Sequence, residues 1–134
     1  MLQPSRTKYR KQFRGKMRGF AKANLVAFGD FGLKAIGRSW ITANQIEATR
    51  RAISHFTQRN GKVWVRLFPD KPITQKVAGA PLGAGKGDVS GYICVVKPGR
   101  VMFEIGGLSP EQSRQALTLA GKKLPIKTKI IRRI

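Results

Sequence analysis

No acidic residue occurs in this chain before Asp30, although eight lysines and arginines do: Arg6, Lys8, Arg10, Lys11, Arg14, Lys16, Arg18 and Lys22. Nothing in that stretch neutralises them, and like charges this close repel one another. The segment cannot supply a hydrophobic core, so the fold has to be built from the residues C-terminal to it. A dense polyanion makes the arrangement favourable, because each bound Lys or Arg releases a condensed counterion from phosphate. Residues 1–22 therefore read as an extended basic arm, with Pro4, Gly15 and Gly19 opposing a continuous helix. Residues 23–134 read as one domain.

The excess of charge is not confined to the arm. The whole chain carries 27 basic and 6 acidic residues, a formal charge of +21 over 134 positions. That balance implies salt-dependent binding to nucleic acid and says nothing about fold. A membrane-surface role would want the cations beside an apolar helical face, which the arm glycines interrupt. A mitochondrial presequence shares the Arg-rich, acid-free character, but the arm is poor in Ser and dotted with Gly. Apolar residues make up 41% of the chain, enough for a modest core. No apolar run approaches the roughly 20 residues of a membrane span. The one cysteine, Cys94, lies in the β-rich run Tyr92–Val96 and reads as a small core hydrophobe. It has no partner for a disulfide and fits a reducing compartment.

Hydrophobic spacing and turn residues sketch the elements. Leu25–Phe28 and Leu33–Ile36 are short β-prone stretches separated by Gly29-Asp30. Thr42 and Gln45 have the spacing of a capping box, with Ile41 and Ile46 placed as a hydrophobic staple. A helix follows, with Ile46, Ile53 and Phe56 on its buried face and Gly61 as its left-handed stop. Lys62–Phe68 alternates as a strand, and Pro69-Asp70-Lys71-Pro72 ends it. Residues 69–90 read as a long irregular loop. Gly91–Lys97 and Arg100–Ile105 read as a hairpin turning at Pro98-Gly99. A second helix is expected from Ser109 to about Gly121, opened by Pro110 and a second capping box to Gln112. Residues 125–134 alternate as a last strand. The fold class is α+β: two helices packed on an antiparallel or mixed sheet, with the arm and the Gly-rich loop outside the core.

Catalytic chemistry finds little to work with. The loop Gly79–Gly87 lacks the first glycine and the Ser/Thr of a Walker A motif, at Ala80 and Gly87. It also fails the dinucleotide pattern. Its alternatives are a ligand-free tip or a loop whose backbone approaches phosphate or ribose, with Lys86 supplying charge. A loop longer than about 12–15 residues favours the latter. His55 is the only histidine, and the six acids are scattered without metal or dyad spacing. Glu104 on a strand and Glu111 in a first helical turn read as ordinary structural residues. Glu47 and Arg51 are spaced for a surface pair. We expect no enzyme, no metal, no cofactor and no small-molecule substrate.

RNA is the better candidate partner. Tyr9 and Phe13 alternate with cations as base-stacking aromatics do. Phe20 suits either stacking or anchorage of the arm, whereas Trp40 and Trp64 read as packing residues. Candidate RNA-binding cations beyond the arm are Arg50, Arg51 and Arg59 on the first helix, then Lys127, Lys129, Arg132 and Arg133 on the last strand.

The chain also resembles a known family. Met1-Leu2-Gln3-Pro4, Arg6–Lys11, Phe28–Ala35, Ile41–Ala48, Gly61–Arg66 and Phe68–Thr74 are similar to blocks of the bacterial-type large-subunit ribosomal protein sixteen family. Gly85–Gly87, Lys97–Arg100 and Leu124–Thr128 continue the likeness, in order, across essentially the whole chain. The resemblance implies a hammerhead-like α+β fold and binding to large-subunit ribosomal RNA near the aminoacyl-tRNA site, among neighbouring ribosomal proteins. It adds Lys34, within the Phe28–Ala35 block, to the rRNA-binding set. It also implies a loop, here about Lys76 to Asp88, that reaches toward the tRNA acceptor end. Lys76, Pro81, Gly83, Gly85, Lys86 and Gly87 are its tRNA-proximal residues. Many relatives carry Arg where Pro81 stands and a polar or basic residue at Ala84, so Lys76 and Lys86 become the expected contacts. The expected location is a ribosome, cytoplasmic or organellar, with a free RNA-binding module or RNA chaperone as the alternative reading.

Overall fold

A computed structural model describes residues 2–6, 11–12, 15, 17–75 and 88–134. Its order is β1 (Phe31–Ala35), β2 (Ser39–Thr42), α1 (Ala43–Phe56), β3 (Lys62–Val65), β4 (Lys71–Gln75), β5 (Asp88–Val96), β6 (Val101–Gly106), α2 (Pro110–Gly121) and β7 (Thr128–Arg132). The strands form two antiparallel sheets, β3-β6-β1-β7 and β2-β5-β4, and α1 packs chiefly on α2. The architecture is α+β with two sheets where one was expected.

Helix α1 starts as its local chemistry dictates. Thr42 accepts the Gln45 N–H at 3.2 Å, and the Thr42 N–H donates to the Gln45 side chain at 2.9 Å. Ile41 and Ile46 on either side of the cap are both fully buried. The inward face differs from expectation. Thr49 joins Ile46 and Ile53 in the core, its hydroxyl donating 2.7 Å to the Gln45 carbonyl, while Phe56 is 38% exposed. The helix stops earlier than expected, with Thr57 as its cap, and left-handed residues follow at Gln58, Arg59 and the expected Gly61, with φ of 53°, 64° and 73°. In α2, Ser109 accepts the Gln112 N–H at 3.2 Å. Ser109 also donates its hydroxyl to the Gln112 side chain, so the second capping box forms only by half.

The expected β5–β6 hairpin does not form. Pro98-Gly99 does turn the chain, with Gly99 at φ of 93° and the Arg100 N–H reaching the Lys97 carbonyl at 3.2 Å. The turn carries the chain from one sheet into the other: β5 pairs with β2 and β4, and β6 pairs with β1 and β3. Local turn geometry allows this because it fixes a change of direction, not a strand partner. The irregular stretch expected at 69–90 is strand at both ends, Gln75 facing Asp88 across β4 and β5. Pro72 is tolerated because β4 is an edge strand.

Phe31, Leu33 and Ala35 of β1 and Phe103 and Ile105 of β6 are buried in one cluster with Ile46, Ile53, Ala116, Leu117 and Ala120 of the helices. Each such Leu, Ile or Phe contributes about 1.5–3 kcal/mol by leaving water. Cys94 is buried in the same cluster, and burial pushes its thiol above the ordinary range.

Every residue of β6 is buried, so its second face is covered as well. The cover is the segment expected as a first strand, Leu25–Phe28, which is not a strand. It is held by Glu104. One carboxylate oxygen accepts N–H groups from Ala27, Phe28 and Gly29 at 3.1, 2.7 and 2.8 Å. The other accepts Arg66 at 2.8 Å. Glu104 is thus a buried organising residue, not an ordinary strand position. Gly29 and Gly32 permit the close approach: a Cβ on Gly29 would lie 2.5 Å from the Ile105 carbonyl oxygen, and one on Gly32 would lie 2.9 Å from Val26.

Candidate nucleic-acid interface

Three basic surfaces stand out among the described residues. The first is the outer side of α1, where Arg50, Arg51 and Arg59 line an open groove with Ser54, His55 and Gln58. Helical spacing away from Ile46 and Ile53 puts Arg50 and Arg51 there, whereas Arg59, expected on the helix, lies beyond its end in a left-handed conformation. Glu47 arranges two of them. It accepts two N–H groups from Arg50 and one from Arg51, the last at 3.1 Å. The Arg50 hydrogen bond, opposed by some desolvation and aided by the charges of Arg50 and Arg51, lowers the Glu47 acid to about 2. Glu47 therefore stays ionised, and the groove keeps a positive surplus of two with its guanidinium groups pre-positioned.

The second surface runs along β7. Lys129 and Arg132 of the strand and the flanking Lys127 and Arg133 are all exposed, with Lys129 and Arg132 on opposite faces, Arg132 being paired with Phe31. The strand pairing places Lys129 opposite Lys34 of β1, bringing together two residues that sequence alone named separately.

The third surface is the base of the arm. Arg6, Arg18 and Lys22 are exposed, and Lys11 is half-buried. The Arg38 guanidinium donates 3.0 Å to the Gly19 carbonyl and lies 5.7 Å from the Phe20 ring centroid, while Phe20 stays 78% exposed. Phe20 thus helps fasten the arm and still offers ring surface. Lys8, Tyr9, Arg10, Phe13, Arg14 and Lys16 lie outside the described residues, as do Lys76, Pro81, Gly83, Gly85, Lys86 and Gly87.

A run of cations and aromatics on the second face of the larger sheet was not expected from sequence. Lys62 lies 5.3 Å from the Trp64 ring, Trp64 stacks on Phe28 at 6.4 Å and 20°, and Arg66 lies 5.6 Å from Phe28. Phe28 remains 58% exposed. Trp64 packs, as expected, but against a ring brought in by the Glu104-bound segment. The alternation Lys62-Trp64-Arg66 was the available signal. Phe28 was not reachable that way, because its place depends on a contact with Glu104 76 residues away.

Cations interleaved with exposed aromatic rings have the chemistry to attract anions and to stack on bases. No group of three or more His, Cys, Asp or Glu among the described residues is placed to hold a metal. No helix among the described residues is long and apolar enough to cross a membrane.

Comparison with known proteins agrees with this chemistry. Residues 4–131 match the family model described as ribosomal protein L16p/L10e. The chain is 62% identical over 134 residues to the large ribosomal subunit protein uL16 of Kosmotoga olearia, covering 99% of this chain and 95% of that one. Identity to the protein of the same name from Thermosipho melanesiensis is 60%, with 99% and 94% covered. For Thermus thermophilus it is 58%, with 99% and 95% covered.

Proposed function

Because the chain belongs to the ribosomal protein L16p/L10e family, we propose that it is a structural constituent of the large ribosomal subunit that binds large-subunit ribosomal RNA near the aminoacyl-tRNA site. It works as a non-enzymatic binding protein whose place is the ribosome. The observation that carries this reading is the near-complete match to proteins named for the large subunit. The physical support is a formal charge of +21 displayed on several faces of one small body. Electrostatic binding of this kind is strong, sequence-tolerant and steeply salt-dependent.

In this reading the arm, residues 1–22, lies among phosphates and residues 23–134 dock on folded RNA. The α1 arginines and the β7 cations supply separate contact faces. Residues 76–87 connect two paired strands, β4 and β5, and reach toward the tRNA acceptor end, with Lys76 and Lys86 as its cations. The RNA performs any chemistry; the protein orders the peptidyl-transferase region and lies close to bound tRNA.

Sucrose-gradient sedimentation tests the reading. The expected result is near-complete co-migration with large subunits after a high-salt wash. Protein left at the top of the gradient, still binding RNA, supports a free RNA-binding module and overturns the ribosomal assignment.

A further inference from the structure

Four cations, Lys22, Lys71, Lys97 and Arg100, converge on a cleft of about 580 Å³ between the base of the arm and the smaller sheet, and no carboxylate is among the described residues lining it. Three of the four were not among the candidate RNA contacts. They come from the arm, from β4 and from the Pro98-Gly99 turn, so no sequence motif unites them.

The cleft is held open by the backbone. The Ala21 N–H donates to the Pro98 carbonyl at 2.9 Å, and the Val101 N–H donates to the Ala23 carbonyl at 2.9 Å. These bonds fasten one wall to the turn that forms the other. The rear cations are fixed. The Lys71 ammonium lies 5.1 Å from the Trp40 ring centroid, and Arg100 donates to the Arg66 carbonyl at 2.7 Å. Gly15, at φ of 71°, brings the arm backbone close to Lys71, whose ammonium is 3.7 Å from where a Cβ would stand.

Ammonium and guanidinium groups donate and do not accept, so the cleft cannot read base edges that need both. It suits phosphate, and four cations without a carboxylate among the described lining residues carry charge for more than one. Gly15, Met17, Phe20, Ala21 and Lys22 from the base of the arm line it, so a nucleic-acid strand held there meets the cleft.

We propose that this cleft seats the phosphodiester backbone of large-subunit ribosomal RNA, with Lys22 and Lys97 as the moving contacts and Lys71 and Arg100 as the fixed rear wall. The inference rests on the function proposed above and adds a contact site to it. Its role is positional: it clamps the junction of arm and domain onto one stretch of backbone.

The test compares two doubly neutralised full-length chains. Lys22→Gln/Lys97→Gln alters the cleft, and Lys122→Gln/Lys123→Gln removes the same charge at the end of α2. Each is titrated with a large-subunit rRNA transcript at several salt concentrations, and phosphate contacts are mapped by ethylation interference. The cleft pair is expected to lower the salt slope by about 1.4–1.8, with a discrete patch of phosphates losing interference. Lys22→Arg/Lys97→Arg should restore both. Equal slope losses from the two pairs, or an unchanged interference map in the cleft pair, overturns the cleft and leaves the ribosomal reading standing. Failure of the unaltered chain to bind the transcript overturns both.

Discussion

Lys34 and Lys129 stand directly opposite each other across β1 and β7, on the same face of the sheet. Like charges in that register destabilise a strand pair, by an amount within the ~0.2–1 kcal/mol range of cross-strand effects. A polyanion lying over the pair turns the cost into a gain. Lys129→Gln is therefore expected to raise the stability of the free protein by about 0.2–0.5 kcal/mol and to weaken RNA binding. Urea denaturation at low and high salt checks the first half, since the stabilisation should fade as salt screens the repulsion. A variant that is less stable at low salt would show that the pair is not repulsive in the fold.

Glu104 gathers three backbone N–H groups and Arg66 about one buried carboxylate. Glu104→Ala leaves the three N–H donors without their acceptor and takes the carboxylate from a mostly buried guanidinium, which keeps the Leu25 carbonyl at 2.9 Å. A loss of about 3–5 kcal/mol is expected, the range for breaking one side of a buried pair. Glu104→Gln keeps one accepting oxygen and should cost less, about 1–3 kcal/mol. Native-state hydrogen exchange adds a local readout: the amides of Ala27, Phe28 and Gly29 should lose protection in both variants. Unchanged protection would mean that the segment is held by Val26 and its neighbours alone.

The same carboxylate predicts an acid response. Burial pushes the Glu104 acid up, but the N–H groups of Gly29, Phe28 and Ala27, and then Arg66, outweigh it and leave it below the ordinary range. A depressed folded value means that stability is fully present above the unfolded carboxylate pKa, about 4.3. It is lost as pH falls through the folded value. As pH falls below the unfolded carboxylate value, the unaltered protein should lose stability more steeply than Glu104→Gln. Glu47 titrates alike in both proteins and cancels in the comparison. Parallel stability curves in urea would remove Glu104 from the acid response.

What could be read from sequence was whatever is decided locally. The Thr42–Gln45 box, the Ser109 cap with Pro110, and the turn at Pro98-Gly99 all involve residues within four positions, and all occur. Long-range choices were not legible. Nothing near Pro98 tells β5 to join β2 instead of β6, and nothing near Leu25 announces a carboxylate 75–77 residues downstream. Strand β2 escaped because Trp40 and Ile41 read equally as the approach to a cap. The candidate interface divides in the same way. The places of Arg50 and Arg51 follow from helical spacing, whereas the cleft of Lys22, Lys71, Lys97 and Arg100 exists only once the chain has crossed between sheets.

Glycines separate packing from chain flexibility in a way that one pair of substitutions can measure. A methyl group on Gly29 would stand 2.5 Å from the backbone oxygen of Ile105, the same oxygen that accepts the Asp30 N–H at 2.8 Å. Backbone on both sides cannot yield as a side-chain tip would, so Gly29→Ala should displace the 27–29 segment from Glu104. The expected cost is about 1–3 kcal/mol, as for overpacking elsewhere in a core. Gly91 lies in β5 with nothing within 4 Å of its Cβ position. Gly91→Ala should therefore be neutral or stabilising by up to about 0.5–1 kcal/mol, because alanine lowers the entropy of the unfolded chain. Thermal or urea unfolding of the two variants side by side decides the matter. A tolerated Gly29→Ala would mean that the segment can lift from β6 without consequence, and the account of Glu104 as its anchor would fall with it.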